Sequence, residues 1–209
     1  MKKSILVVLI TLLFVFGASA ARTNFYLDAG VGFGRAKTTM NGYDYADGFL
    51  IPVTDLGIEF GAKAGLNPVK NLPLFVVLDL DWGANRFSFK DSGNKYSIQF
   101  SSVLLGPGIV FYPNSLFQLA ASAGLSLAEY SESWSYNYID YKTGFAWSVS
   151  AALDFGNKRN GFLLGVKYLI GTNTIVYWDD EASSYGSIEQ KNSVFSIFAR
   201  FAVRKISLR

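Results

Sequence analysis

The sequence predicts an all-β chain: eight antiparallel strands closed up-and-down into a barrel that crosses a membrane. Three observations predict it. Hydrophobicity alternates with period 2 from residue 25 almost to the end, the face opposite the apolar one is built mainly of glycine, alanine and serine, and short connections alternate with long polar ones.

Two lysines, Lys2 and Lys3, precede an apolar run from Ile5 to Gly17 and the small residues Ala18, Ser19 and Ala20. These are the parts of a secretory signal peptide, and the run is too short for a spanning helix. The expected division is a signal peptide over 1–20 and a single barrel domain over 21–209, with cleavage after Ala20. Cleavage would lower the formal net charge from +3 to +1 by removing the two lysines, so net charge gives no reason to expect nucleic acid as a partner.

The first strand alternates Phe25, Leu27, Ala29, Val31 and Phe33 with Tyr26, Asp28 and glycines 30, 32 and 34. The second does so from Leu56 to Gly65, and the third from Leu74 to Trp82. The fourth, Tyr96 to Tyr112, is apolar on both faces from Val103 and contains Pro107, which cannot donate to a ladder. A bulge or kink that shifts its facing is expected there. The fifth runs from Phe117 to Leu125, the sixth from Phe145 to Phe155, the seventh from Phe162 to Ile170 and the eighth from Phe195 to Val203. Asn67–Pro73, Pro113–Ser115 and Gly156–Asn160 are expected as short turns. Lys37–Leu50, Lys90–Lys95, Glu129–Thr143 and Thr172–Asn192 are expected as longer loops, mostly long and polar, which puts both termini at the short-turn end.

Alternation alone does not say which face is inside. Glycine is a poor strand former that a water-facing surface has no reason to favour, whereas the narrow interior of an eight-stranded barrel has room for few large side chains. The small-residue face is therefore the interior. Its large members, Asp28, Glu59, Lys63, Asp79, Asp81, Asp154, Lys167 and Arg200, are expected to form an ion-pair network that plugs the lumen, with Asp28 and Lys63 at matching depths on neighbouring strands and Arg200 beside Asp28 on the strand that closes the barrel.

The chain has neither Cys nor His. Disulfides, thiolate metal sites, lipidation through cysteine and histidine-dependent catalysis are thereby excluded, and no cofactor, metal site or catalytic residue is assigned. Recognition is expected in the loops, where Tyr43, Tyr45, Trp134, Tyr136, Tyr138, Tyr141, Tyr177 and Trp178 supply rigid amphipathic rings suited to a host or extracellular protein. The same rings could instead cover strands that protrude past the membrane. Acids at positions 44, 47, 132, 140, 179, 180, 181 and 189 give those loops an acidic rim, which favours basic partners over polyanions.

The opening Phe25-Tyr26-Leu27-Asp28-Ala29-Gly30-Val31-Gly32-Phe33-Gly34 and the stretch Gly106-Pro107-Gly108-Ile109-Val110-Phe111-Tyr112 resemble strands of small bacterial outer-membrane barrels of the OmpA-transmembrane, OmpX and opacity-protein type. That resemblance implies a bacterial outer membrane, periplasmic termini, outer-membrane lipid as the surroundings and a non-enzymatic structural or adhesive role. Barrel enzymes of similar architecture rely on histidine. The inward apolar residues Val77, Leu163, Leu169 and Phe198 keep open an OmpW-like conduit for small apolar molecules.

Overall fold

The computed structural model describes residues 25–44, 54–69, 72–91, 94–132, 139–157, 159–179 and 184–204. Nine strands occur among them: β1 (Phe25–Met40), β2 (Tyr43–Asp44), β3 (Thr54–Leu66), β4 (Leu74–Asp91), β5 (Asn94–Phe111), β6 (Phe117–Glu132), β7 (Ile139–Asp154), β8 (Asn160–Asp179) and β9 (Ser184–Arg204). Each long strand pairs antiparallel with the next, and β1 closes on β9 to give an eight-stranded ring; β2 is a two-residue return beside the tip of β1.

The closure can be followed along one rung. Arg35 pairs with Phe195, then the rung passes through Tyr168, Val149, Ala121, Ile109, Val76 and Leu66 and returns to β1 at Phe25. From residue 35 to residue 25 the stagger is ten residues over eight strands, which inclines the strands by roughly 40° to the barrel axis. Every residue on that rung after Arg35 is apolar, and its neighbours Phe33, Phe145, Ile197 and Phe201 are each more than half exposed. Asp28, Glu59, Lys63, Asp79, Asp81, Lys167 and Arg200 are buried. Apolar outside and charged inside is the polarity of a barrel solvated by lipid.

All three short turns use one local device. The side-chain oxygens of Asn67, Asn114 and Asn157 accept backbone N–H groups two residues on (Val69, Leu116 and Arg159, at 2.8–2.9 Å), and those of Asn114 and Asn157 accept a second, three residues on. At the opposite end Asn41-Gly42, with φ of 48° and 84°, makes the tight β1–β2 turn, a left-handed pair that suits asparagine and glycine.

Two sequence expectations are corrected. No bulge shifts the facing at Pro107: Leu104, Gly106, Gly108 and Val110 all stay buried, and Leu78 remains opposite Pro107. The proline ring points outward, so the missing N–H only interrupts the ladder between Leu105↔Leu125 and Gly108↔Ser122. The bulge lies instead in β7, where the register with β8 shifts between Lys142 and Phe145; a Cβ at Gly144 would sit 1.7 Å from the Thr172 carbonyl oxygen. The expected long loops are mostly strand. Thr172–Asn192 is ladder up to Asp179 and again from Ser184, and β1, β4, β5, β6 and β7 also extend past the apolar belt.

Because the ring closes without a free edge, the folded protein should stay intact in detergent until boiled. Unboiled and boiled samples are expected to migrate differently on a detergent gel; identical migration would remove the barrel.

Candidate functional site

Inward side chains fill the barrel in layers. At the short-turn end, Tyr26, Phe75, Val77, Val110, Tyr112, Leu163, Phe198 and small alanines form one apolar cluster. Its polar atoms are paired inside the layer. Gln118 Nε2 donates to the hydroxyls of Tyr26 (2.6 Å) and Tyr112 (2.8 Å), and the Tyr26 hydroxyl donates to Asp28. Arg204 lies over the Tyr112 ring, 5.0 Å from its centroid, and pairs with Asp154.

Above this layer lies the charge cluster. Arg200 reaches Asp28 (3.2 Å), Glu59 (3.2 Å) and Asp81 (3.1 Å) on three different strands. Lys167 pairs with Asp81 (2.6 Å) and Glu59 (3.4 Å), while Lys63 pairs with Asp79 and, at 3.5 Å, with Asp81. Ser148 donates to Asp81 at 3.3 Å. Room for the cluster comes from a missing side chain: a Cβ at Gly61 would lie 2.1 Å from Asp81 Oδ1 and 2.2 Å from Arg200 Nη2. Charges this deep are tolerable only when paired, and a guanidinium fork serves three carboxylates better than an ammonium would.

An apolar collar of Leu104, Ala146 and Leu169 follows. Gly83 faces Leu169 and Val194, with no space for a Cβ. Beyond the collar, Asn85 Nδ2 donates to Thr38 Oγ1 and Thr38 to Asn192 Oδ1, each at 3.1 Å. Ser126 and Asn173 exchange two hydrogen bonds, and Asn173 also donates to the Lys142 carbonyl beside the bulge. Phe87 and Phe100 stack edge to face at 5.9 Å near the long-hairpin end.

Seven of the eight expected lumen residues thus lie in one cluster. Asp154 does not; it belongs to the layer below, with Arg204. Asp28 and Lys63 are directly opposite in register, yet their ionic partners differ: Asp28 takes Arg200, and Lys63 takes Asp79 and Asp81. Arg204, Tyr26 and Gln118 were not singled out from the sequence. Arg204 continues the inward series Ser196, Phe198, Arg200, Ala202, and Tyr26 stands two residues before Asp28 on the same face, so both were reachable by parity.

The loop candidates are not gathered into one described patch. Tyr43 is exposed on β2 beside the Asn41-Gly42 turn. Tyr141 lies in β7 opposite the buried Ile175, on the inward side of the bulged segment. Tyr177 and Trp178 belong to the β8 ladder, opposite Gly186 and Tyr185. Tyr45, Trp134, Tyr136 and Tyr138 lie outside the described residues. Among the described residues no group of three or more His, Cys, Asp or Glu is placed to hold a metal ion.

No family model and no curated protein matches the chain. Solved structures similar to it are small bacterial outer-membrane barrels. They include the outer membrane protein OprG from Pseudomonas aeruginosa (12% identity, TM-score 0.49, covering 88% of this chain and 97% of that one). The attachment invasion locus protein Ail of Yersinia pestis, in complex with a heparin analogue, has 13% identity and a TM-score of 0.49, covering 86% and 99%. Neisserial surface protein A has 14% identity and a TM-score of 0.48, covering 86% and 96%.

Proposed function

We propose that residues 1–20 direct export and that the chain resides in a bacterial outer membrane with its short turns and both termini periplasmic. There it acts as a closed, non-enzymatic surface barrel, structural or adhesive through the hairpins that rise above the apolar belt. One observation carries this reading: the lumen is filled in layers, with a three-cation, four-carboxylate cluster between two apolar ones. The conduit alternative needs a continuous apolar path. Val77, Leu163 and Phe198 lie below the charges and Leu169 lies above them, so the four residues that motivate a conduit are split by its worst obstacle.

Purified protein in planar bilayers is expected to pass no steady ion current, and large steady currents would move the assignment to the conduit. For the adhesive part, removing residues 134–138, which connect β6 to β7 in the sequence, is expected to abolish binding of protein-bearing vesicles to host cells; unchanged binding would leave only the structural role.

A further inference from the structure

Among the described residues, several outward cations share one height on the barrel wall. The stagger of ten residues over eight strands moves a rung by about 1.25 residues for each strand crossed, so residues on different strands can be placed at a common height. Lys37 is on β1. Arg86 on β4 is opposite Leu56, one residue nearer the long-hairpin end than Gly57, the partner of Gly34, and with the stagger of two strand crossings it reaches the height of Lys37. Lys191 on β9 is opposite Thr39. Lys142 on β7 is opposite Thr174, whose partner Glu189 is hydrogen-bonded to Asn41. All four cations fall within about one residue of the same height. Arg35 lies two residues below Lys37 on the same face, and all five side chains are exposed.

The layers on either side are equally ordered. Below the cations come Trp82, Trp147 and Tyr168, level with one another by the same construction, with Trp147 and Tyr168 edge to face at 5.9 Å. Beneath them extends the apolar wall. Three described acids lie just above individual cations: Asp140 is two residues beyond Lys142, Glu189 two beyond Lys191, and Asp44, which pairs with Lys37 at 2.8 Å, is opposite Thr39. Of the acids expected at the rim, Asp44, Asp140 and Glu189 thus have cations beneath them at the edge of the apolar belt.

Resting on the reading that the belt lies in a membrane, we propose that Arg35, Arg86 and Lys191, with Lys37 between them, form a binding site for the phosphate groups of a phosphorylated membrane lipid in the leaflet at the long-hairpin end. Acyl chains would lie on Phe33, Phe195 and Ile197, directly below. Guanidinium and ammonium groups one to three strand spacings apart can reach the separate phosphates of one head group, and the aromatic girdle marks the boundary at which a head group begins. A soluble polyanion would use the charges without the wall; a lipid uses both.

The test is lipid retention by the full chain in phosphatidylcholine nanodiscs doped with diphosphoryl lipid A, counted by native mass spectrometry. Wild type is expected to retain the phosphorylated lipid, and the variant carrying Arg35→Gln, Arg86→Gln and Lys191→Gln to retain about tenfold less or lower. Arg159→Gln, in a short turn, should behave as wild type. Equal retention by the triple variant, equal retention of the dephosphorylated lipid, or full displacement by inorganic pyrophosphate would each overturn the site. A heat-shift gel on the same samples separates the two levels of inference: a wild-type protein without the shift overturns the membrane reading, and an intact shift with unselective retention overturns the lipid site alone.

Discussion

Replacing Arg200 with Ala is expected to destabilise the barrel by about 3–5 kcal/mol in urea unfolding from lipid vesicles, because it leaves a buried cluster of carboxylates short of its central cation. Arg200 is almost fully buried and contacts Asp28, Glu59 and Asp81, while only Lys63 and Lys167 would remain to balance four acids. Arg200→Lys keeps the charge but cannot fork to three strands, so it should recover only part of the loss. Adding Asp28→Asn to Arg200→Ala should be less damaging than Arg200→Ala alone, since it removes one orphaned charge. An Arg200→Ala protein within about 1 kcal/mol of wild type would show that the cluster contributes little to stability.

Val166→Arg should cost about 2–4 kcal/mol, the range for a cation at the bilayer midplane. Val166 is 43% exposed and pairs with Ile197, whose other partner is Phe33, in the middle of the apolar wall. Val176, ten residues along the same strand and beyond the cation ring, is the internal control: Val176→Arg should cost about 0–1 kcal/mol, as near an interface. Equal costs at the two positions would show that the apolar wall is not immersed in lipid at all.

The strand order, the facing of seven strands and seven members of the charge cluster were legible because lipid and lumen impose opposite demands on alternate residues, a signal that survives without any knowledge of partners. The same signal fades where the strands leave the bilayer. Between Thr172 and Asn192 both faces meet polar surroundings, so Thr174 and Asn173 look alike in sequence although one points out and the other is locked to Ser126. Pro107 misled for a different reason: a missing donor was taken to require a bulge, whereas a barrel with paired neighbours on both sides tolerates one lost ladder bond. The actual bulge at Lys142/Phe145 has only Gly144 as its mark. Ionic partners were harder still. Barrel closure put Arg200 beside Asp28 as expected, but register alone, which sets Asp28 against Lys63, did not show that Lys63 turns away to Asp79 and Asp81 or that Arg200 reaches across the narrow tube to Glu59 and Asp81 as well.

That reach across the seam bears on how the sheet can be assembled. Before closure, β1, β3 and β4 carry Asp28, Glu59, Asp79 and Asp81 with Lys63 as the one buried cation among their described residues, while β8 and β9 carry Lys167, Arg200 and Arg204. An open sheet is thus electrically polarised from one edge to the other, with an acidic half and a basic half. The attraction between the halves favours curling, and Arg200 meets Asp28 across 172 positions of sequence only when the edges join. A slip of one residue at the seam would turn β9 over and send Arg200 into hydrocarbon. Neither half has a low-energy place in lipid by itself, so closure of the seam is expected to accompany insertion rather than follow it.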